Sequence, residues 1–137
     1  MTLYLDTSVL VKLYIREDDS EEVAAAVADA TMVATSLLAY PEVCAALERR
    51  RREKSVRPAA LKAARQAFEA DWPSWIAVGI DDDLARQSAR LAERHGLRAA
   101  DAIHLASFER ILAAAENDDV QFLCADDRLS KAARTLG

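Results

Sequence analysis

At 137 residues the chain is long enough to bury a real core, and 52% hydrophobic with 30% charged residues excludes a disordered chain. No apolar run reaches the roughly eighteen residues of a membrane span. The formal net charge of −5 argues against a general nucleic-acid binder.

The first apolar run, TLYLD at 2–6, reads as a β-strand closed by Asp6, with TSVLVKLY opening a helix. The opening stretch lacks a basic start and carries Asp6 within it, so it does not have the form of a signal peptide. Aspartate is a preferred N-cap, so Asp6 has a capping role available alongside any chemical one. EEVAAAVADA is alanine-rich and helical, and TMVAT at 31–35 is the second strand. In LLAYPEVCAALERR, proline suits a first helical position; Pro41 therefore predicts a helix start, with Glu42 in the first turn where a carboxylate complements the helix dipole.

Residues 47–66 hold eight Lys or Arg against two Glu, leaving the rest of the chain strongly acidic. Arg49, Arg50, Arg51 and Arg52 are either a solvated helix face or a surface that attracts a polyanion. Leu61, Ala64, Phe68 and Trp72 follow at helical spacing. Trp72 and Trp75 flank Pro73 and read as core or a dimer seam rather than a base-stacking platform.

IAVGI at 76–80 is the third strand. Leu84, Ser88, Leu91, Ala92 and His95 form a helical stripe that Gly96 stops. In AADAIHLA, Asp101 heads the stripe Leu105, Phe108 and Leu112, and reads as the N-cap of that helix or as a partnered acid. His104 reads as a packed histidine with a local hydrogen-bond partner, and His95 as a charge suited to a helix end. QFLCA at 121–125 is the last strand, followed by Asp126 as cap or ligand and by the helical RLSKAARTL. Cys44 and Cys124 form no C-x-x-C pair, which fits two reduced thiols and a cytoplasmic setting.

Apolar strands alternating with amphipathic helices predict one domain over 1–137: a three-layer α/β/α sandwich whose central parallel sheet has four or five strands. In such folds ligands collect beyond the carboxyl ends of the strands. Asp6, Glu42, Asp101 and Asp126 all fall at a strand end or a helix start. Carboxylates gathered there repel one another unless a cation intervenes, and hard cations such as Mg²⁺ or Mn²⁺ take oxygen ligands.

YLDTSVLVKLY, YPEVCAALERR, LRAADAIHLAS and FLCADDRLSKAA together resemble the PIN domain, most closely the VapC-type toxins of bacterial toxin–antitoxin pairs, over residues 2 to about 134. The resemblance implies a metal-dependent endoribonuclease whose acidic quartet is Asp6, Glu42, Asp101 and Asp126, with Asp6, Asp101 and Asp126 on Mg²⁺ or Mn²⁺ and Ser8 supporting the site. It also implies a homodimer and a small antitoxin whose tail occludes the acidic pocket. An RNA substrate would give Arg49 to Arg52 phosphates to bind. Cys124 stands where the family usually has Thr or Ser, and Asp127 offers a second candidate for the last acid, with the spacing to Leu129 favouring Asp126.

Other readings explain less. A haloacid-dehalogenase-type phosphatase needs a second acid where Ser8 stands, with Lys131 the only lysine near the last acid. A receiver-like domain accounts for neither Glu42 nor AADAIHLA. A DNA nuclease of the same fold and an inactive PIN-like interaction module are the nearer rivals.

Overall fold

The computed structural model describes residues 1–116 and 119–136. Four strands, β1 (Thr2–Leu5), β2 (Met32–Ser36), β3 (Ile76–Val78) and β4 (Val120–Leu123), form one parallel sheet in the order β3-β2-β1-β4. The expected strands therefore stand within a residue or two of their predicted bounds, and among the described residues there are four. Thr2 pairs with Met32 on one side and with Val120 on the other, so β1 is flanked by a strand on each side.

Side-chain alternation along β1 divides the core. Leu3 and Leu5 enter a cluster with Val9, Leu10, Val43, Leu47, Leu61 and Phe68. Tyr4 enters a second cluster with Leu84, Leu91, Leu105, Phe108 and Leu129. Successive strand residues point to opposite faces, so these clusters are the two helical layers of the sandwich. One layer carries α1 (Thr7–Leu10), α2 (Ser20–Asp29), α3 (Ala39–Glu53) and α4 (Pro58–Asp71); the other carries α5 (Asp82–His95), α6 (Ala99–Ala115) and α7 (Asp127–Arg134).

The helix ends follow local chemistry, with two corrections. Asp81 caps α5 by accepting from the Leu84 amide at 2.8 Å, and Gly96 ends it at φ 65°, a left-handed conformation that glycine adopts without Cβ strain. Pro58 opens α4 after an extended Arg57. Pro41, in contrast, is the third residue of α3 rather than the first, because the helix begins at Ala39 directly behind Ser36, whose hydroxyl accepts from the Leu38 amide. A proline is tolerated there because first-turn amides lack helical acceptors anyway. Asp101 is likewise not the cap of its helix. Arg98 holds that position, without a side-chain hydrogen bond, and Asp101 lies in the first turn.

Trp72 and Trp75 belong to the core margin. They pack with Tyr14, Tyr40 and Phe68 against the first cluster, and Trp72 lies in a 3-10 turn just past α4. No helix among the described residues is long and apolar enough to cross a membrane.

The chain runs from β1 outward through β2 to β3 and returns to β4 on the far side of β1. The helices that follow β1 and β4 lie on opposite faces of the sheet. The carboxyl ends of β1 and β4 thus form a topological switch point, where such folds leave a crevice.

Candidate active site

Asp6 stands at that crevice, at the end of the most deeply buried strand. It is 4% exposed and caps α1. Its Oδ1 accepts from the Ser8 hydroxyl at 2.8 Å and from the Val9 amide at 3.2 Å. Its Oδ2 has no protein partner among the described residues. Burial pushes the Asp6 carboxyl above the usual aspartate range, against the opposing pull of Ser8, His104 and the Val9 amide.

Glu42 arrives from the first turn of α3, which is held down by Ala39, Val43 and Leu47 in the core. Its Oε1 accepts from the Thr7 hydroxyl at 2.5 Å and lies 3.1 Å from His104 Nε2. Burial acts to raise its carboxyl, but the hydrogen bonds from His104 and Thr7 outweigh burial and leave Glu42 below the usual range. Glu42 is therefore a carboxylate at neutral pH.

His104 is 2% exposed, and its partners are not local. Nδ1 lies 2.9 Å from the hydroxyl of Tyr4 on β1, and Nε2 faces Glu42 and the Thr7 hydroxyl, the latter at 3.0 Å. The expectation of a local partner is corrected here: sequence separations of 100, 62 and 97 residues join α6 to β1, α3 and α1. Tyr4 and Thr7 were missed as site residues. Tyr4 reads as an apolar strand residue and Thr7 as a helix start. The only sequence signal was a buried histidine needing partners at both ring nitrogens.

Asp101 projects from the first turn of α6 into the same cleft, where it pairs with the exposed Arg98 at 3.6 Å. The cleft has a volume of about 640 Å³ and collects Asp6, Ser8, Glu42, Asp101 and His104, with Arg49 and Arg98 at its edge. Three of the four predicted acids thus share one wall.

Asp126 does not line that cleft. It is exposed, and its Oδ1 accepts from the Leu129 amide at 3.0 Å as the cap of α7. The residues just before it touch the site's strand end: the Asp6 amide donates to the Leu123 carbonyl at 3.2 Å, and the Ala125 amide reaches Ser8 Oγ at 3.4 Å. Asp127 is the first residue of α7 and also exposed. Among the described residues, no three His, Cys, Asp or Glu side chains converge closely enough to hold one metal ion between them.

The four arginines divide. Arg49 lines the cleft and has no carboxylate partner among the described residues, whereas Arg50 pairs with Glu17, and Arg51 and Arg52 with Glu48. Cys124 Sγ lies 2.9 Å from Ser130 Oγ and donates to the Asp126 carbonyl at 3.3 Å, and burial raises its thiol. Both cysteines are free.

Against known proteins, the PIN domain family model matches residues 3–135. Ribonuclease VapC49 of Mycobacterium tuberculosis (strain ATCC 25618 / H37Rv) is 35% identical over 105 residues, covering 77% of this chain and 73% of its own length. Ribonuclease VapC45 of M. tuberculosis (strain CDC 1551 / Oshkosh) matches to the same extent. Ribonuclease VapC46 of the H37Rv strain is 34% identical over 142 aligned residues, covering 98% of this chain and 92% of its own. With the parallel sheet, the cleft at its switch point and the acids gathered there, these matches place the chain in the PIN domain family, beside the VapC-type ribonucleases.

Proposed function

We propose that this chain is a Mg²⁺- or Mn²⁺-dependent endoribonuclease and the toxin of a type II toxin–antitoxin pair. The observation that carries the reading is the cleft itself: a buried Asp6 with a free Oδ2, facing Asp101 and a Glu42 kept ionised by its neighbours. The relatives named Ribonuclease VapC support RNA as the substrate. In this reading the chain is one PIN-like domain that acts in the cytoplasm as a homodimer, with a small antitoxin covering the cleft.

The donor set fits a hard divalent cation. Every acid in the cleft offers oxygen, and Mg²⁺ is commonly held by only one or two carboxylates, with water and substrate phosphate completing its shell. Asp6 and Asp101 would hold the ion, whereas Asp126 caps α7 outside the cleft wall. Bound there, the ion supplies Lewis acidity that offsets the charge of the phosphodiester.

This chain's own residues do the rest. Asp6 is fixed by Ser8 and the Val9 amide, so Oδ2 points from a rigid strand end. Glu42, ionised at neutral pH, accepts a hydrogen bond from a water in the cleft and aligns it for attack on phosphorus. Arg49 binds a flanking phosphate at the edge, a contact that weakens with salt.

The test is cleavage of single-stranded RNA by purified protein with added Mg²⁺ or Mn²⁺, compared with chelator and with single-stranded DNA. Cleavage requires the cation, prefers RNA and disappears in Asp6→Ala. Unchanged cleavage in that variant would sink the assignment of the site, and a preference for DNA would sink the assignment of the substrate.

A further inference from the structure

One part of the buried network is not needed merely to fill space: the path from Tyr4 through His104 to Glu42. Tyr4 is fully buried, and its ring stacks on Phe122 at 5.3 Å and meets His104 edge-on at 6.0 Å. Its hydroxyl therefore has a fixed position. His104 lies one turn along α6 from Asp101, so the same helix delivers one acid to the cleft and braces another.

The hydrogens can be assigned from donor and acceptor chemistry. The Glu42 carboxylate only accepts, and Thr7 gives its hydrogen to Glu42 Oε1. His104 Nε2 faces both of these oxygens, so it must carry a hydrogen. Nδ1 is then the acceptor for the Tyr4 hydroxyl. Ser107, the other polar neighbour of Tyr4, already donates its hydrogen to the Ile103 carbonyl at 2.7 Å. This arrangement gives a partner to both ring nitrogens of His104, to the Tyr4 and Thr7 hydroxyls and to Glu42 Oε1.

We propose that Tyr4 and His104 are a positioning pair for Glu42: Tyr4 fixes the imidazole with its hydrogen on Nε2, and His104 with Thr7 holds Glu42 Oε1 so that Oε2 faces the cleft. Glu42 Oε2 has no protein partner among the described residues, as an oxygen kept for water requires. Thr7, beside the capping Asp6, ties the brace to the strand end that carries the first acid. Groups that orient a reacting side chain from behind commonly matter by about 10- to 100-fold in activity. His104 touches no substrate in this role.

The proposal rests on the ribonuclease reading for its kinetic test only. With single-stranded RNA and saturating Mg²⁺, His104→Asn removes the donor at the Nε2 position and lowers kcat about 10- to 100-fold with KM unchanged. His104→Gln places an amide nitrogen near the Nε2 position and recovers most of that loss. Tyr4→Phe keeps the ring packing and lowers kcat less than His104→Asn. Circular dichroism and melting temperature check that each variant is folded. Equal losses in His104→Gln and His104→Asn, or wild-type kcat in His104→Asn, would overturn the proposal.

A second arm needs no turnover. Nitrogen-15 NMR of the imidazoles shows His104 with its hydrogen on Nε2 in the wild type and a mixed population in Tyr4→Phe. A hydrogen on Nδ1 alone overturns the positioning role whether or not RNA is cut. The expected tautomer in a wild-type protein that cuts no RNA overturns the ribonuclease reading instead.

Discussion

Asp6 and Asp126 begin from the same local motif and end in different environments. Each follows a parallel strand, each caps the next helix through its own carboxylate, at 3.2 and 3.0 Å, and their strands are hydrogen-bonded neighbours. Yet Asp6 is 4% exposed while Asp126 lies open to solvent. The cause is position in the sheet. β1 has a strand on each side and buries Leu3, Tyr4 and Leu5, whereas β4 is an edge strand whose side chains are only partly covered. A strand–aspartate–helix motif specifies the cap; the sheet order decides which aspartate becomes a buried, chemically poised group. The β1 side of the site is thus rigid and networked, and the β4 side is held by a short helix and a thiol.

The sharpest way to break this contrast is Asp6→Asn. It removes the carboxylate from the cleft and abolishes cleavage, yet it keeps an acceptor for Ser8 and the Val9 amide. Burial raises the Asp6 carboxyl above its unfolded value, so ionisation of this group opposes folding. That penalty is complete above the folded pKa and absent below the unfolded value of about 4. Measured in chelator, the variant is therefore more stable than wild type at neutral pH, and the gain fades as pH falls through the folded pKa and is gone below about 4. A variant less stable than wild type at neutral pH would mean that Asp6 is a structural acid, and the distinction from Asp126 would fail.

The opposite behaviour belongs to Asp126→Ala. This variant loses the α7 cap, which costs about 1 kcal/mol, and it lowers cleavage less than any loss at Asp6, because Asp126 stands outside the cleft wall. Asp127→Ala is close to neutral in both assays, since Asp127 is exposed and caps nothing. Chemical denaturation and RNA cleavage read the two effects separately. A larger loss of cleavage at Asp127 than at Asp126 would move the fourth acid by one residue.

The same contrast marks what could be read from the sequence. The strands were legible because short apolar runs ended at polar residues, Asp6 and Asp126 because capping and strand ends are local features, and Ser8 only through the family resemblance. Two helix starts precede the residues that marked them: α3 begins at Ala39, behind a local Ser36–Leu38 hydrogen bond, and α6 follows Arg98, which caps it without a side-chain bond. His104 was harder. Its spacing from Asp101 placed it near the site, but its partners Tyr4, Thr7 and Glu42 come from three distant segments that only the fold brings together. The burial that separates Asp6 from Asp126 was invisible for the same reason, since it depends on which strand lies at the edge.

The smallest expected effect tests how loosely the β4 side is held. Ser8 supports Asp6 by a direct hydroxyl–carboxylate bond, whereas Cys124 contacts Ser130 and the Asp126 carbonyl and leaves the Asp126 carboxylate to the Leu129 amide. A thiol is a weak donor, so replacing it removes little. Cys124→Ser puts a stronger but shorter donor in a partly buried setting, with a stability change below about 0.5 kcal/mol and a correspondingly small change in cleavage. Ser8→Ala should exceed it in both assays, because it removes a partner from a buried carboxylate. If Cys124→Ser instead matched Ser8→Ala, the β4 side would be as tightly organised as the β1 side. Sheet position alone would then no longer account for the difference between the two aspartates.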